Sequence, residues 1–193
     1  MEAVSELIWS GSYGSTTIDQ ICKKAGVKIG SFYYFFDSKS DLAAEAIEAK
    51  WQETRPELDA QFSRSIPPLE RLRKYFDFGY KFQAEIKEKY GRVLGCPLFS
   101  VGAEVSTQED ALQKKIQEIL EYKRAYLETV IRDAEAAGII CVPDAAAKSR
   151  ALAAYYEGVL TQARIQNDLA ILREAIRGAF DLLGVKETES TPA

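Results

Sequence analysis

Aromatic residues are concentrated in one short stretch, Lys28–Lys39, which reads KIGSFYYFFDSK. Five of them are consecutive, from Phe32 to Phe36, and neighbouring positions on a helix point in different directions, so they cannot all enter one core. An outward tyrosine offers a ring that packs on a partner and a hydroxyl that donates to a phosphate. The stretch therefore has the chemistry to bind a polyanion, and a crowded helix packed on its neighbours is the alternative.

The thiol of Cys96 is the second group that could do chemistry. It follows Gly95 and precedes Pro97, so we expect it at a helix N-terminus, where a thiolate is favoured. Cys96 is thus a possible redox sensor, for an electrophile or an oxidant, and an inert thiol is the alternative. Cys22 is interpreted as a core residue and Cys141 as a loop thiol.

The composition argues against an enzyme. The 193 residues include no histidine, which excludes a Ser-His-Asp or Cys-His catalytic pair and a histidine metal site. The three cysteines form no CxxC pair, and no phosphate-binding loop is visible. We therefore expect no cofactor, no metal and no catalytic residue.

The sequence also bounds the cellular setting. No apolar run approaches the ~20 residues of a membrane span, so we expect no membrane partner. The N-terminus is acidic where a signal peptide is basic. The odd number of scattered cysteines fits a reducing, cytoplasmic environment.

The periodicity predicts an all-α protein of about nine helices. After a short first helix, Thr17 and Gln20 form a capping box that begins the second, and Gly26 ends it. A third short helix covers 28–35. A long helix begins after Ser38 and has Pro56 as an expected kink or break.

Longer helices are predicted for the rest of the chain. Their expected ranges are 69–90, 97–106, 109–137, 145–166 and 168–183. The polar segment 186–193 is expected to be a disordered tail. The domains are predicted as 1–45 for the three-helix head, 46–185 for a larger helical domain, and the tail.

Two short helices joined by a glycine turn are typical of a helix-turn-helix, whose second helix enters the major groove. The expected core of the head consists of Ile18, Ile21, Ala25, Val27, Phe32 and Phe36. Residues 1–40 carry four lysines and four acidic residues, and no arginine precedes Arg55. We therefore expect modest affinity and specificity that depends partly on DNA shape.

The segment TIDQICKKAGVKIGSFYYFFDSKSDL resembles the DNA-binding domain of the TetR family of transcriptional repressors in residue type and spacing. It departs from the family pattern at Phe35, where a histidine is usual, and at Ser12, where a glycine is usual. Family members also often carry a basic arm before the first helix. The resemblance implies DNA contacts by Thr17, Lys28, Ile29, Gly30, Ser31, Tyr33, Tyr34, Phe35 and Lys39.

The resemblance further implies a helical ligand-binding and dimerisation domain. Dimer contacts are expected from Leu169, Leu172, Ile176 and Phe180. The effector pocket is expected to be lined by Tyr75, Phe76, Phe82, Phe99, Tyr122, Tyr126 and Tyr156, although core packing is the alternative for each of these aromatics.

The implied function is that of a homodimeric repressor of a palindromic operator in double-stranded DNA. A small-molecule effector would move the fourth helix and tilt the heads, and so release the DNA. Two alternatives stay open: a repressor that senses electrophiles through Cys96, and a helical ligand-binding module without specific DNA binding.

Overall fold

The computed structural model describes residues 2–105 and 110–185, and within them every regular element is a helix. The bounds are α1 (Glu2–Ser10), α2 (Ile18–Ala25), α3 (Ile29–Phe35), α4 (Lys39–Gln61), α5 (Pro68–Tyr90), α6 (Pro97–Val105), α7 (Asp110–Ala136), α8 (Ala145–Gln166), α9 (Ala170–Arg173) and α10 (Ala175–Leu183). The predicted all-α class is confirmed. The expected start of a helix at Glu109 and the expected tail at 186–193 lie outside the described residues.

The predicted last helix is divided into α9 and α10. The backbone ψ angle of Glu174 is −7°, far from the roughly −42° of an α-helix, so the hydrogen-bond ladder is interrupted there. The described residues consequently contain ten helices where about nine were expected.

Local capping chemistry accounts for where several helices begin. The Thr17 side chain accepts from the Gln20 amide and the Gln20 side chain accepts from the Thr17 amide, as the sequence predicts. Ser38 caps α4 by accepting from the amide of Asp41 at 3.0 Å. Asp144 caps α8 in the same way, by accepting from the amide of Ala147 at 2.9 Å.

Pro56 lies inside α4, which continues to Gln61, so of the expected kink or break the break is excluded and the kink stays a prediction. The proline is exposed, while Trp51 and Leu58 on either side of it are buried in the larger core. Burial of these two side chains holds the helix together across the lost backbone hydrogen bond.

Helix α7 is the centre of the molecule, because it packs on α4, α5, α6 and α8. The larger of two hydrophobic cores lies between these long helices. The smaller core joins α1–α4 to α6 and the start of α7 through Val101, Val105, Leu112 and Ile116. The three-helix head is therefore closed from behind by residues of the predicted second domain.

The predicted core of the head is only partly right. Ile21 and Phe32 are buried, and Ile18 and Phe36 pack against them. Val27, in contrast, is 49% exposed. It follows directly on the left-handed turn, where the chain leaves α2 before α3 has begun, and Ala25 at the end of α2 is exposed too.

Candidate DNA-binding surface and effector cleft

The turn between α2 and α3 is fixed by its backbone. Gly26 has φ 68° and ψ 26°, the left-handed region that glycine enters without strain. The amide of Gly26 donates to the carbonyl of Lys23 at 3.3 Å, and the amide of Val27 donates to the carbonyl of Cys22 at 3.0 Å. These bonds satisfy the last carbonyls of α2 and set the direction in which α3 leaves.

One side chain anchors α3. Phe32 is 5% exposed and stands edge-on to Tyr33, with ring centroids 5.1 Å apart. With Phe32 turned inward, the adjacent aromatics must turn outward. Tyr34 and Phe35 are 82% and 72% exposed, and their rings pack edge to face on each other at 4.8 Å.

The outward side of α3 is called the recognition face below. It consists of Lys28, Ile29, Gly30, Ser31, Tyr33, Tyr34 and Phe35, all of them exposed. A Cβ added at Gly30 would meet nothing within 4 Å, so this part of the helix offers its bare backbone to a partner. A contiguous exposed aromatic surface of this kind indicates an interaction site.

Two further predicted DNA contacts flank the recognition face. Thr17 is exposed at the start of α2, where its oxygen caps the helix. The ammonium of Lys39 donates to the carbonyls of Tyr13 at 2.8 Å and Thr16 at 2.9 Å. The structure thus uses Lys39 to hold the turn before α2, and its contact with a phosphate stays a prediction.

The head is tied to α6 by a carboxylate. One oxygen of Glu104, Oε2, accepts from the Ser12 hydroxyl at 2.8 Å and from the Gly14 amide at 2.9 Å. Ser12 is the position at which the sequence departs from the usual glycine, and its hydroxyl makes this bond. The contact is not predictable from the sequence, because it joins residues about ninety positions apart.

A second tie runs from α1 to the loop before α6. The indole N–H of Trp9 donates to the carbonyl of Gly95 at 3.2 Å, and its ring stacks on Phe82 with centroids 5.5 Å apart. Buried Gln83 holds the same loop, because its Nε2 donates to the Gly95 carbonyl and its Oε1 accepts from the amides of Leu94 and Gly95. This loop leads directly into Cys96.

The seven aromatics expected to line one pocket do not lie together. Tyr75, Phe76 and Tyr156 pack into one buried cluster, with centroids 4.5 to 5.8 Å apart. Of the seven, Tyr75 and Phe99 line the cleft described next.

The remaining three have other partners. Phe82 stacks on Trp9 at the head. Tyr122 is 54% exposed and stacks on Trp51, and the hydroxyl of Tyr126 donates to Asp59.

A small cleft of about 190 Å³ opens between α5, α6, α7 and α8, and it is called the polar cleft below. Its lining residues are Tyr75, Phe99, Leu120, Glu121, Lys123, Arg124, Leu127, Arg150, Ala153, Ala154 and Glu157. Three of them are cations and two are carboxylates, a polar character that the expected aromatic pocket lacked.

Glu157 is the deepest acid of the polar cleft, with 6% exposure. Burial raises its pKa, against the opposing effects of the Lys123 ammonium and of a hydrogen bond from the Cys96 thiol. Its Oε2 has no hydrogen-bond partner among the described residues. Burial alone would lower the pKa of Lys123, but its interactions with Tyr75, Cys96 and Glu157 outweigh burial and raise the pKa.

The surroundings of Cys96 oppose the expected activation of its thiol. The residue does stand immediately before α6, yet it is 8% exposed and belongs to the larger core. Burial raises the pKa of its thiol to about 11 from an ordinary value of 9.0. Desolvation thus outweighs the pull of the helix N-terminus, and the thiol is protonated at neutral pH.

Three of the four predicted dimer residues are partly accessible. Leu169, Ile176 and Phe180 are half-buried, and the Arg73 guanidinium stands 4.7 Å from the centre of the Phe180 ring. Leu172, at 4% exposure, belongs to the core of its own chain and is unavailable to a second subunit. This burial argues against the expected dimer contact by Leu172.

The described ranges 2–105 and 110–185 hold no helix that is both long and apolar enough to cross a membrane. In that same part of the chain, histidine, cysteine, aspartate and glutamate side chains nowhere gather in the groups of three that a metal ion needs.

Comparison with known proteins covers both halves of the chain. Residues 1–46 match the family described as bacterial regulatory proteins, tetR family. Residues 68–179 match the tetracyclin repressor-like C-terminal domain.

Similar whole proteins are also known. The chain is 24% identical to an uncharacterized HTH-type transcriptional regulator of Lactococcus lactis, over 96% of this chain and 93% of that protein. It is 29% identical to the transcriptional regulator AcuR of Cereibacter sphaeroides, over 80% of this chain and 69% of the relative. The crystal structure of a regulatory protein TetR from Rhodobacter sphaeroides superposes with a TM-score of 0.81 at 27% identity, over 94% and 95% of the two chains.

Proposed function

This chain belongs to the TetR family of DNA-binding transcriptional regulators, which are not enzymes, and we propose that it is a homodimeric repressor released from a palindromic operator by a small effector. A regulator that reads DNA works where the chromosome is, so we also place it in the cytoplasm.

The observation that carries the proposal is the recognition face on the second helix of the helix-turn-helix. Phe32 is the one buried side chain of α3, and exposing the aromatic rings of Tyr34 and Phe35 to water does not stabilise the fold. In the major groove the tyrosine hydroxyls can reach phosphates and base edges, while bare Gly30 permits close approach. The face supplies few positive charges, which favours contacts by shape and packing over simple charge neutralisation.

Two copies of the head are needed for a specific site, and α8 supports the pairing. Ala151, Ala154, Gly158 and Ile165 are exposed on this helix at heptad-like spacing. Small residues allow two helices to approach closely, and Ile165, at 77% exposure, is an apolar side chain that a second subunit would cover. A C2 dimer would present two recognition faces to half-sites about one DNA turn apart.

The effector would bind in the polar cleft, and two contacts would transmit its effect to the head. Cys96 contacts Glu157 in the cleft and adjoins Gly95, whose carbonyl accepts from Trp9 of α1. Glu104, at the other end of α6, holds the turn before α2. A ligand that shifts α6 would therefore move both attachments at once and change the spacing of the two recognition faces.

The test is selection of bound duplexes from a random library at low salt. A palindrome with half-sites about one turn apart is expected. If the full chain enriches no sequence, the repressor proposal fails and a ligand-binding module without specific DNA binding replaces it.

A matched pair of variants then localises the binding on the selected duplex. Tyr34→Ala should weaken binding by at least about tenfold, since one lost specific contact costs about 1–3 kcal/mol. Tyr122→Ala removes an exposed tyrosine from α7 and should leave DNA binding unchanged. Equal affinities for the two variants would show that the recognition face does not contact the DNA.

A further inference from the structure

We infer that the polar cleft binds a small hydroxycarboxylate, with its carboxylate on Lys123 and its hydroxyl donating to Glu157. The inference rests on the proposed function in one respect: it takes the polar cleft to be the effector site.

The charges of the polar cleft call for an anion. Arg124 is already paired, since its guanidinium donates to Glu121 at 2.5 Å and to Glu128 at 3.0 Å. Among the described residues no carboxylate oxygen lies within 4.0 Å of the side-chain nitrogens of Lys123 or Arg150. Lys123 is therefore a half-buried ammonium with no carboxylate oxygen at ion-pair distance, and the carboxylate of a ligand would supply one.

The unpartnered oxygen of Glu157 calls for a donor. This side chain is more than nine-tenths buried and lines the polar cleft. The Cys96 thiol donates to the carboxyl group, yet Oε2 is left without a partner. An unsatisfied buried acceptor costs about 1–3 kcal/mol, and a ligand hydroxyl would recover that cost.

The size of the cleft limits the ligand. About 190 Å³ lies below the roughly 300–1,000 Å³ of drug-sized sites. We therefore expect fewer than about ten non-hydrogen atoms. Phe99 and Leu127 form an apolar part of the cleft wall that suits a short alkyl chain. A hydroxyl beside a carboxylate on such a chain matches the cleft in charge, hydrogen bonding and volume.

The test is calorimetric titration of the DNA-free protein with matched four-carbon probes. These are 2-hydroxybutanoate, butanoate, 2-aminobutanoate and butane-1,2-diol, followed by the three- to six-carbon 2-hydroxy acids. The hydroxy acid should bind at one site per chain. Butanoate should bind about tenfold more weakly, because it lacks the hydrogen bond to Glu157. Binding of the diol should not be detectable.

Variants assign the two contacts. Lys123→Met keeps the length of the side chain and should lower the affinity for the hydroxy acid by about 30-fold or more. Lys114→Met is the control, because it removes an exposed lysine of the same helix, α7, and should bind as wild type does. Glu157→Met should bind the hydroxy acid and butanoate with equal affinity. The ratio of these two affinities, compared with wild type, is a second readout if Lys123→Met does not fold.

The outcomes separate the ligand class from the regulatory role. If no hydroxy acid binds, if the diol or the amino acid binds as tightly, or if Lys123→Met binds as wild type does, the ligand assignment is overturned. Binding that fails to release the selected duplex leaves the ligand site standing and refutes the effector role. Release by an unrelated compound with no binding of hydroxy acids refutes the ligand class and leaves the repressor standing.

Discussion

The thiol of Cys96 gives the sharpest prediction, because two hypotheses about it differ in a measurable rate. Its pKa of about 11, compared with 9.0 for an ordinary thiol, lowers the thiolate population near neutral pH by roughly 100-fold. A more basic thiolate is also intrinsically more nucleophilic, and this raises the alkylation rate of each thiolate by about tenfold. The net expectation from the pKa alone is about tenfold slower alkylation, and burial slows it further.

The assay is a time course of alkylation by iodoacetamide near neutral pH, followed by mass spectrometry of the three cysteine peptides. Cys141 is exposed and is the internal reference. We expect Cys141 to react at least about tenfold faster than Cys96, and all three cysteines to react alike in guanidinium chloride. Labelling of Cys96 as fast as Cys141 in the folded protein would refute the reasoning and restore the thiol-sensor hypothesis.

The same pKa predicts how Cys96 links stability to pH. The folded state holds the thiol proton up to about pH 11, whereas the unfolded thiol loses it near 9.0. This contribution is fully present below pH 9 and is lost as the pH rises through 11, by about 3 kcal/mol in all. Cys96→Ala should therefore show a smaller loss of stability than wild type between these pH values in urea titrations.

Three further substitutions test packing and coupling. Gly79→Ala should lower the free energy of unfolding by about 2–3 kcal/mol, because the new Cβ would lie 1.7 Å from the Tyr156 hydroxyl; an unchanged urea midpoint would contradict this packing. Gly30→Ala should raise stability by up to about 1 kcal/mol through helix propensity while weakening DNA binding, and stronger binding to the selected duplex would count against close approach at α3. Glu104→Gln replaces a charged acceptor for the Ser12 hydroxyl with a neutral one. It should keep the DNA affinity within about threefold of wild type, while effector should lower that affinity less than in wild type. Full release of DNA by effector in an anisotropy titration would show that α6 does not couple the cleft to the head.

The head was predictable because its signals are local. The capping box at Thr17 and the left-handed Gly26 lie within a few residues of the bonds that they form. The same locality explains the error at Val27, whose exposure depends on where α3 lies relative to α2 and not on its apolar character. Periodicity identifies an apolar side of a helix, but tertiary packing decides whether that side is covered.

The polar cleft was not predictable, because its two key groups resemble ordinary surface charges in the sequence. Lys123 and Glu157 stand 34 positions apart, the first among the many charges of α7 and the second as the one acidic residue of alanine-rich α8. Only the packing of α8 on α7 places both beside the cleft. Three of the seven aromatics expected in the pocket, Tyr75, Phe76 and Tyr156, are buried in the core instead. Aromatic type alone does not separate core from pocket.

The DNA-binding head shares its core with α6 and the start of α7, which gives the proposed effector a route to the head. Val101 and Val105 of α6 are buried together with Phe32 of α3, so a shift of α6 repacks the core that holds the recognition face. Moving a two-state equilibrium from 1:99 to 99:1 takes about 5.5 kcal/mol of differential binding. A ligand of about eight non-hydrogen atoms supplies at most about 12 kcal/mol. The proposed switch therefore needs about half of that ceiling as a difference in affinity between the two states, and we expect the contacts to Lys123 and Glu157 to supply much of it.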